Sequence, residues 1–232
     1  MNIKRKISGI LLGTLFLALA VPNLMNATIA VGQSGESDSE IQKMSLAWYT
    51  LLNQDGPLWL AKIDLQGANL AEINFDKAVL VSSNFDGANM TGAILNGANL
   101  SEASLVGTEL KNASLQEAVL INAVLDNANL NSANLAGANL TDAKLDKSFL
   151  ASGKLADADL TRARIRQVNM RDALLTNANL NGANLSGSSL RGANLTGAFL
   201  DGVILDEVTY DDVTIWPEEF DPTTSGAVKV EE

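Results

Sequence analysis

Apolar residues recur at every fifth position between Leu65 and Leu205 without exception. Most of them are leucines, and the residue two positions before each is usually alanine or another small residue. This period fits neither an α-helix, with about 3.6 residues per turn, nor a flat strand whose side chains alternate between faces. It does fit a short extended segment followed by a corner, because residues two apart in an extended segment point the same way. The pattern therefore predicts that each leucine and its small partner face a common interior.

The two residues after each leucine are often Asn-Gly, Ser-Gly, Thr-Gly or Asp-Asn, which are turn-forming pairs. A chain that bends every five residues winds into a solenoid, and its successive coils bond backbone to backbone. Small residues beside the leucines leave room for neighbouring leucines in a narrow interior. The repeat alone therefore predicts an all-β solenoid and does not give the number of units in each coil.

The units Ala-Asn-Leu-Thr-Gly at 193–197, Ala-Asp-Leu-Thr-Arg at 158–162 and Ala-Asn-Leu-Ser-Gly at 183–187 resemble the pentapeptide-repeat family, whose units read roughly Ala-(Asp/Asn)-Leu-x-x. The resemblance covers residues 61–207. It implies a right-handed quadrilateral β-helix with four pentapeptides per coil, and about seven coils for the 29 units between Leu65 and Leu205. Residues 20 apart would then stack in columns.

Stacked asparagines are an expected consequence of that register. Asn69 would lie under Asn89, and Asp159 would lie between Asn139 and Asn179. Amide ladders stabilise stacked strands, so we expect these side chains to bond from coil to coil. A structural role in stacking therefore accounts for the frequent outward asparagines, and they do not by themselves indicate a binding function.

Residues 1–30 have the pattern of a secretory signal peptide. Basic residues at 4–6 precede an uncharged apolar run from Ile10 to Val21, which is shorter than the ~20 residues of a membrane-spanning helix. Small residues up to Ala30 supply a cleavage site, and an uncleaved anchor is the alternative. We expect an exported protein of the periplasm or, in a cyanobacterium, of the thylakoid lumen, which contacts the membrane only through the signal sequence before cleavage.

Two further segments flank the repeat. Residues 31–60 are predicted to form a linker and an N-terminal capping α-helix, with Ser37 and Glu40 as a capping box and an apolar stripe at Ile41, Met44, Trp48, Leu51 and Leu52. A helix that docks a partner is the alternative interpretation of this stripe. Residues 208–232 are predicted to be a C-terminal cap and acidic tail, with the last residues from 223 frayed. The string Tyr-Asp, Trp-Pro-Glu and Phe-Asp-Pro in this segment is similar to the tail of many family members.

The amino-acid composition excludes most kinds of catalytic site. The chain has no cysteine and no histidine, so it lacks thiolate nucleophiles, thiolate metal sites and the commonest neutral-pH general base. It also has no Walker A motif and no dinucleotide glycine fingerprint. Carboxylates such as Asp157 and Asp159 are expected to be ordinary solvated wall residues. We predict that the protein is not an enzyme and needs no cofactor or metal.

Interaction surfaces are predicted where the repeat is broken. Apolar residues replace outward polar ones at Val79, Val81, Val119, Ile121, Val124, Phe149, Leu174 and Phe199, and a basic patch comprises Arg162, Arg164, Arg166, Arg171 and Arg191. On the 20-residue register, Val119, Ile121 and Val124 fall around one corner, two coils above Val79 and Val81. Contiguous apolar patches are unusual on soluble proteins, so we predict that this stripe contacts a partner. Asp142 under Arg162 and Asp146 under Arg166 would neutralise part of the basic patch.

Two functions remain. The first is a non-catalytic exported scaffold for protein–protein interaction, with an unidentified protein partner, or self-association, and no nucleic acid. The second is a DNA mimic that binds or protects a type II topoisomerase, as some relatives in the resembled family do. A mimic requires a cytoplasmic and strongly acidic rod, whereas residues 61–210 carry 16 acidic and 11 basic residues, a net charge of −5. Together with the signal peptide, this modest charge favours the scaffold.

Overall fold

The structure is a computed structural model that describes residues 57–231. The predicted signal peptide, and all of the predicted linker and capping helix before residue 57, lie outside the described residues. Within 57–231, no helix has the length and apolar content that a membrane span requires.

Each five-residue unit is a short extended segment followed by a tight turn. In the unit around Leu65, the N–H of Ala68 donates to the carbonyl of Leu65 at 3.1 Å, and Gly67 at the third turn position has a φ of 65°. A positive φ at that position is what a type II turn requires. Residues with side chains adopt the same conformation elsewhere, as Lys77 and Arg162 do with φ values of 55°. The corner geometry is therefore uniform although the residue type is not.

Successive coils pair in parallel, and each outward residue bridges the one 20 positions further along the chain. Val119, for example, bridges Asn99 on one side and Asn139 on the other. Its N–H donates to the carbonyl of Ala98 at 2.9 Å, and its carbonyl accepts from the N–H of Leu100 at 2.7 Å. Four units therefore complete one coil, as the resemblance implied.

The four walls of the rod are named here by the outward residues of their bridged columns. Wall A runs through Val79, Asn99 and Val119; wall B through Asn84, Ser104 and Val124; wall C through Asn89, Glu109 and Asn129; wall D through Ile94, Ser114 and Asn134. The AB, BC, CD and DA corners lie between them. The inward leucine-type residues from Leu80 to Leu195 are all fully buried, and they form one continuous core.

Hydroxyl groups replace alanine methyls at a few inward positions. The hydroxyl of Ser83 donates to the carbonyl of Leu60 at 3.0 Å, that of Thr108 to Phe85 at 2.8 Å, and that of Ser188 to Ile165 at 2.6 Å. Each acceptor belongs to the coil below. These three buried hydroxyls are therefore satisfied by the main chain, whereas that of Ser148 has no partner among the described residues.

The C-terminal segment departs from the repeat and is more ordered than expected. Strand β1 (Thr209–Tyr210) is followed by a 3-10 helix (Pro222–Thr224) and by strand β2 (Val228–Lys229), which pairs in parallel with β1. The prediction of a frayed end from residue 223 is wrong for these residues, because main-chain bonds from Val228 to Val208 and from Val230 to Tyr210 attach the segment to the rod.

One extra residue is accommodated within this segment, directly after β1. Asn194 bridges Ile215, which is 21 positions further on instead of 20. The extra residue lies in a turn from Asp211 to Thr214, where the Asp211 carboxylate accepts from the N–H of Thr214 at 3.1 Å and from its hydroxyl at 2.8 Å. The inserted residue is thus held by side-chain bonds that the regular corners do not use.

Candidate interaction surfaces

Outward asparagines bond mainly to their own turns. The side-chain oxygen of Asn99 accepts from the N–H of Ser101 at 3.0 Å, and that of Asn139 accepts from Thr141 at the same distance. Such Asx turns satisfy the first N–H of the corner, which the coil-to-coil ladder leaves free. An amide ladder does occur between Asn89 and Asn69, at 3.2 Å.

The predicted ladder is wrong for the Asn139, Asp159 and Asn179 column. Among the described residues, these three side chains form no bond to one another, and each accepts from the N–H two residues further on. The physical reason lies in Asp159, because a carboxylate has no N–H with which to make the bond that Asn89 makes to Asn69. Its oxygen instead accepts from the N–H and the hydroxyl of Thr161.

Phenylalanine at the outward position is compensated from the coil below. Phe149 cannot accept a hydrogen bond, and the N–H of Ala151 donates instead to Asn131 at 2.9 Å. In the same way, the N–H of Asp201, next to Phe199, donates to Asn181 at 2.8 Å. These exposed aromatic residues therefore leave no corner donor unpaired.

Valine at the outward position is not compensated at three sites, Val79, Val119 and Val124. The corner donors that follow them have no acceptor among the described residues; they are the N–H groups of Val81, Ile121 and Asp126. The residues one coil below these corners offer no carboxylate or amide oxygen; they are Ala61, Ser101 and Val106. Each of the three positions therefore pairs a half-buried apolar side chain with a free main-chain donor.

These three sites lie together on the rod. The bridges place Val79 and Val119 on wall A, with Asn99 between them, and Val124 on wall B. Trp59, which bridges Val79 and is 66% exposed, extends the apolar surface towards the N-terminal end. We call the resulting surface the AB stripe; it comprises Trp59, Val79, Val81, Val119, Ile121 and Val124.

The same combination occurs singly on wall D. Ile94 and Leu174 are exposed outward residues, and the corner N–H groups that follow them, those of Asn96 and Thr176, have no acceptor among the described residues. On the adjacent walls of its own coil, each of the two has asparagines as outward neighbours, whereas Val119 is followed in its coil by Ile121 and Val124. Clustering around one corner is therefore what distinguishes the AB stripe.

Trp59 is absent from the sequence-based prediction of this surface. That prediction starts the repeat at residue 61, although Leu60 already lies five positions before Leu65. The period therefore carried a signal that Trp59 is an outward residue of wall A.

Three other predicted surface residues do not join the stripe. Phe149 lies on wall C between Asn129 and Asn169, and Leu174 lies on wall D between Lys154 and Asn194. Phe199 lies on wall A but near the C-terminal end of the rod, next to Asn179. All three are exposed, and each has a polar neighbour in its column.

Three residues of the predicted basic patch are held in ion pairs. Arg162 pairs with Asp142 at 2.6 Å, while Arg164 contacts Asp146 at 2.8 Å and also reaches Asp126 at 3.2 Å. Arg166 shares Asp146 as well. The hydrogen bond from Arg162 lowers the pKa of Asp142. Burial raises the pKa of Asp146, but hydrogen bonds from Arg166 and the charges of Arg164 and Arg166 together lower it by more. The net shift of this pKa is therefore downward.

The remaining two arginines lie apart from that network, in one column at the CD corner. Arg191 pairs with Asp211 at 3.4 Å, and Arg171 has no ion pair with any described residue. Burial raises the pKa of Asp211, but donors from Gly192, Thr214 and Arg191 outweigh this effect and lower it overall. The five arginines therefore form two separate groups, most of whose charge is balanced locally.

The chain matches the family model described as pentapeptide repeats, in eight copies over residues 60–97, 93–131, 133–172 and 169–206. No curated protein sequence was found to match. Among solved structures, HetL, a pentapeptide repeat protein involved in heterocyst differentiation regulation in the cyanobacterium Nostoc sp. strain PCC 7120, is 29% identical, with a TM-score of 0.36 over 68% of this chain and 80% of that chain.

Two further structures give a wider view. QnrB1, a plasmid-mediated fluoroquinolone resistance protein, is 15% identical and aligns with a TM-score of 0.61 over 75% of this chain and 90% of its own. A pentapeptide repeat protein from the Arabidopsis thaliana thylakoid lumen is 29% identical, with a TM-score of 0.19 over 49% of this chain and 68% of its own. The likeness to QnrB1 is one of fold.

The repeat match and the shared fold identify the rod as a right-handed β-helix. No catalytic family is indicated by these matches. The predicted resemblance is confirmed over most of the described residues, and the chain belongs to the pentapeptide-repeat family.

Proposed function

We propose that this protein is a non-catalytic exported scaffold that binds a partner protein through the AB stripe. The observation that carries the proposal is the clustering, around the AB corner, of solvent-accessible apolar side chains with free corner N–H groups at Val81 and Ile121. A third free N–H, that of Asp126, lies on the neighbouring BC corner, next to Val124. A partner that covers these positions gains apolar burial and directional hydrogen bonds together. The outward phenylalanines elsewhere on the rod lack the second component, and the apolar residues of wall D lack the clustering.

The shape and core of the rod support binding without catalysis. The interior is filled by side chains from Leu80 to Leu195 that have no exposed surface. Among the described residues, no group of histidine, cysteine or carboxylate side chains is arranged to hold a metal ion. Flat walls that present side chains at regular spacing suit the recognition of another macromolecule.

Charge distribution supports a protein partner over mimicry of DNA. The described rod presents the cations Arg162, Arg164 and Arg166 on its surface, paired with aspartates. A duplex mimic needs a continuous negative surface instead. We therefore propose no role on topoisomerases and no contact with nucleic acid.

Residues 1–30 act as a signal peptide, and the part of segment 31–60 before residue 57 links to the rod and caps the first of about seven coils. The β-helix predicted for residues 61–207 also takes in residues 57–60, and residues 208–232 cover part of the C-terminal end. Export is to the periplasm or the thylakoid lumen, and the basic residues followed by an apolar run at the start of the chain support it.

The binding proposal is tested with the double variant Val119→Asn/Ile121→Asn. The asparagine introduced at position 119 would create an Asx turn at the free corner N–H, so we expect an intact fold together with loss of both apolar side chains. Tagged wild-type and variant proteins, purified from the exported fraction of the native host after crosslinking, are compared by quantitative mass spectrometry. Partners of the stripe are those retained by the wild type and lost from the variant.

Leu174→Asn is the matched control, because it makes the same change next to a free corner N–H at an isolated apolar position on wall D. It should retain every partner of the wild type. An identical set of partners for the stripe variant and the control would exclude the stripe. If the retained species is the chain itself, light scattering will show a larger solution mass that drops in the stripe variant, and the surface is then one of self-association.

Location is tested independently by fractionation of the host and N-terminal sequencing of the recovered protein. We expect the mature chain to begin near residue 31 and to lie outside the cytoplasm. Recovery of the uncleaved chain in the cytosol would contradict the export proposal and would restore the topoisomerase alternative.

A further inference from the structure

The last coil is covered on only part of its circumference. Strand β2 lies over wall C, where Val228 donates to Val208 and the N–H of Glu207 donates to Gly226. Trp216 and Phe220 stack with ring centroids 5.2 Å apart and pack against the end of the core. Between Ile215 and Gly226 the chain therefore crosses the core end and does not follow walls A and B.

The main chain of walls A and B ends in an unpaired edge. One coil below, the N–H groups of Leu180, Gly182 and Leu185 donate to carbonyls of the last coil. The equivalent N–H groups of Leu200, Gly202 and Leu205 have no acceptor among the described residues. The carbonyls of Ala198 and Val203 likewise accept no bond from any described residue. We call residues 198–205 the terminal edge.

The terminal edge also exposes inward-facing apolar side chains of the kind that are buried elsewhere in the rod. Leu200 and Val203 are the inward-facing residues between 58 and 210 that are not buried. The neighbouring outward residues Phe199 and Ile204 are 58% and 42% exposed. Open edge donors next to apolar side chains are the features that an added strand satisfies.

Negative charge surrounds this edge. The edge and the segments that follow it include the acidic residues Asp201, Asp206, Glu207, Glu218, Glu219 and Asp221, all exposed. The cation in the described part of this C-terminal region, Lys229, pairs with Asp212. The charge of the edge therefore favours a positively charged occupant.

We propose that the terminal edge binds a basic segment of a partner polypeptide, which is extended along walls A and B and bends with the corner between them. Alternate apolar side chains of the segment cover Leu200 and Val203, and Lys or Arg residues between them face the carboxylates. The chain itself shows that this end accepts a short parallel strand, because β2 already occupies the adjacent wall C. The site is separate from the AB stripe and does not depend on the function proposed for it.

A second copy of the chain fits this edge less well. Two identical acidic ends would repel each other, and four apolar side chains are far fewer than the roughly 20–30 residues that each partner gives to a stable protein–protein interface. An added strand needs less area, since main-chain hydrogen bonds supply much of its affinity.

The test uses the full-length exported protein and a fluorescein-labelled peptide of about eight residues in which valine alternates with lysine. We expect saturable binding by fluorescence anisotropy that weakens as salt is raised. Replacing the lysines by glutamates should abolish binding. Amide exchange measured by NMR should show that Leu200, Gly202 and Leu205 exchange faster than Leu180, Gly182 and Leu185 in the free protein, and that they slow when the peptide is bound.

The protein variant for the same experiment is Phe199→Lys/Ile204→Lys, in which both altered side chains point outward and the core is unchanged. It should bind the basic peptide at least about tenfold more weakly, and Phe149→Lys on wall C should bind it normally. Equal binding by the double variant, or slowed exchange at other amides, would overturn the proposal. Slow exchange of the three edge amides in the free protein, together with a dimer in light scattering, would overturn it in favour of a second copy.

Discussion

Leu130 and Leu200 hold equivalent inward positions of the same five-residue unit, yet their surroundings differ. Leu130 has coils above and below it and is fully buried. Leu200 has a coil below it but no complete coil above, and it is only partly buried. The unit does not bury its own leucine; the neighbouring coils do. The stability at each position is therefore set by the coils above and below it, so identical units contribute unequally along the rod.

The largest effect is expected from an identical charge at the two positions. Leu130→Asp places an unpaired carboxylate in the middle of the core and should lower the free energy of unfolding by at least ~4 kcal/mol. Leu200→Asp should cost only ~1–2 kcal/mol, because its carboxylate reaches solvent. Urea denaturation followed by circular dichroism measures both. Equal losses would show that the terminal coil is as well covered as the middle.

The next effect concerns the turn that holds the extra residue near the end. Asp211→Ala removes the acceptor for Thr214 and for the N–H of Gly192, which lies 3.0 Å from the carboxylate, and should cost ~1–3 kcal/mol at neutral pH. Because the folded-state pKa of Asp211 is lowered, its contribution is present above the unfolded value of about 3.9 and is lost as the pH falls through the folded value.

Denaturation of the wild type and of Asp211→Ala between neutral and acidic pH measures that contribution. The difference between the two should shrink on acidification. Glu219→Ala, which alters an exposed carboxylate in the same region, is the control and should show no such trend. A constant difference would mean that the Asp211 side chain acts through packing and not through charge.

A smaller effect is expected from the outward asparagines of the middle coils. Asn139→Ala removes the acceptor for the N–H of Thr141 and should cost ~0.5–1.5 kcal/mol. Val119→Ala, one coil below on the same wall, removes no hydrogen bond and should cost less. Val119→Asn should stabilise the chain slightly. Denaturation midpoints of the three variants give the ranking, and the reverse order would contradict the Asx-turn assignment.

The smallest effect is expected from the surface ion pair of Arg162 and Asp142. Arg162→Ala removes an exposed pair, and such pairs contribute little in water, so the denaturation midpoint should be nearly unchanged. Arg164→Ala should shift the midpoint more, because Arg164 is less exposed and contacts two carboxylates. A large drop in the denaturation midpoint for Arg162→Ala alone would show that ion pairs on the walls contribute stability that we assign to the core.

Much of the fold follows from the sequence because one period specifies it. Leu65 to Leu205 and their small partners encode an interior, and the turn pairs encode the corners. The number of units per coil came from the family resemblance, since a five-residue period is compatible with other polygons. The bridges between adjacent coils then established the register.

The site was less predictable because it depends on main-chain hydrogen bonds. Sequence identified Val119 and Phe149 as the same kind of departure from the repeat, and only the structure separates them. Asn131 satisfies the corner next to Phe149, while the corner next to Val119 has Ser101 below it and stays open. The open terminal edge is also not predictable from the sequence. The aromatic residues after Tyr210 indicate a cap, and only the main-chain hydrogen bonds show which walls this cap leaves uncovered.

The register of four units per coil has a consequence for how such a rod can change in length. Deletion or duplication of four consecutive units would remove or add one whole coil and leave every remaining side chain on its own wall. Deletion or duplication of a single unit would keep the inward leucines and alanines in place, yet it would rotate all the coils beyond the change by a quarter of a turn. The AB stripe and the terminal edge would then face different directions. Genetic gain and loss in blocks of four units is thus the route that keeps two distant binding surfaces in a fixed mutual orientation.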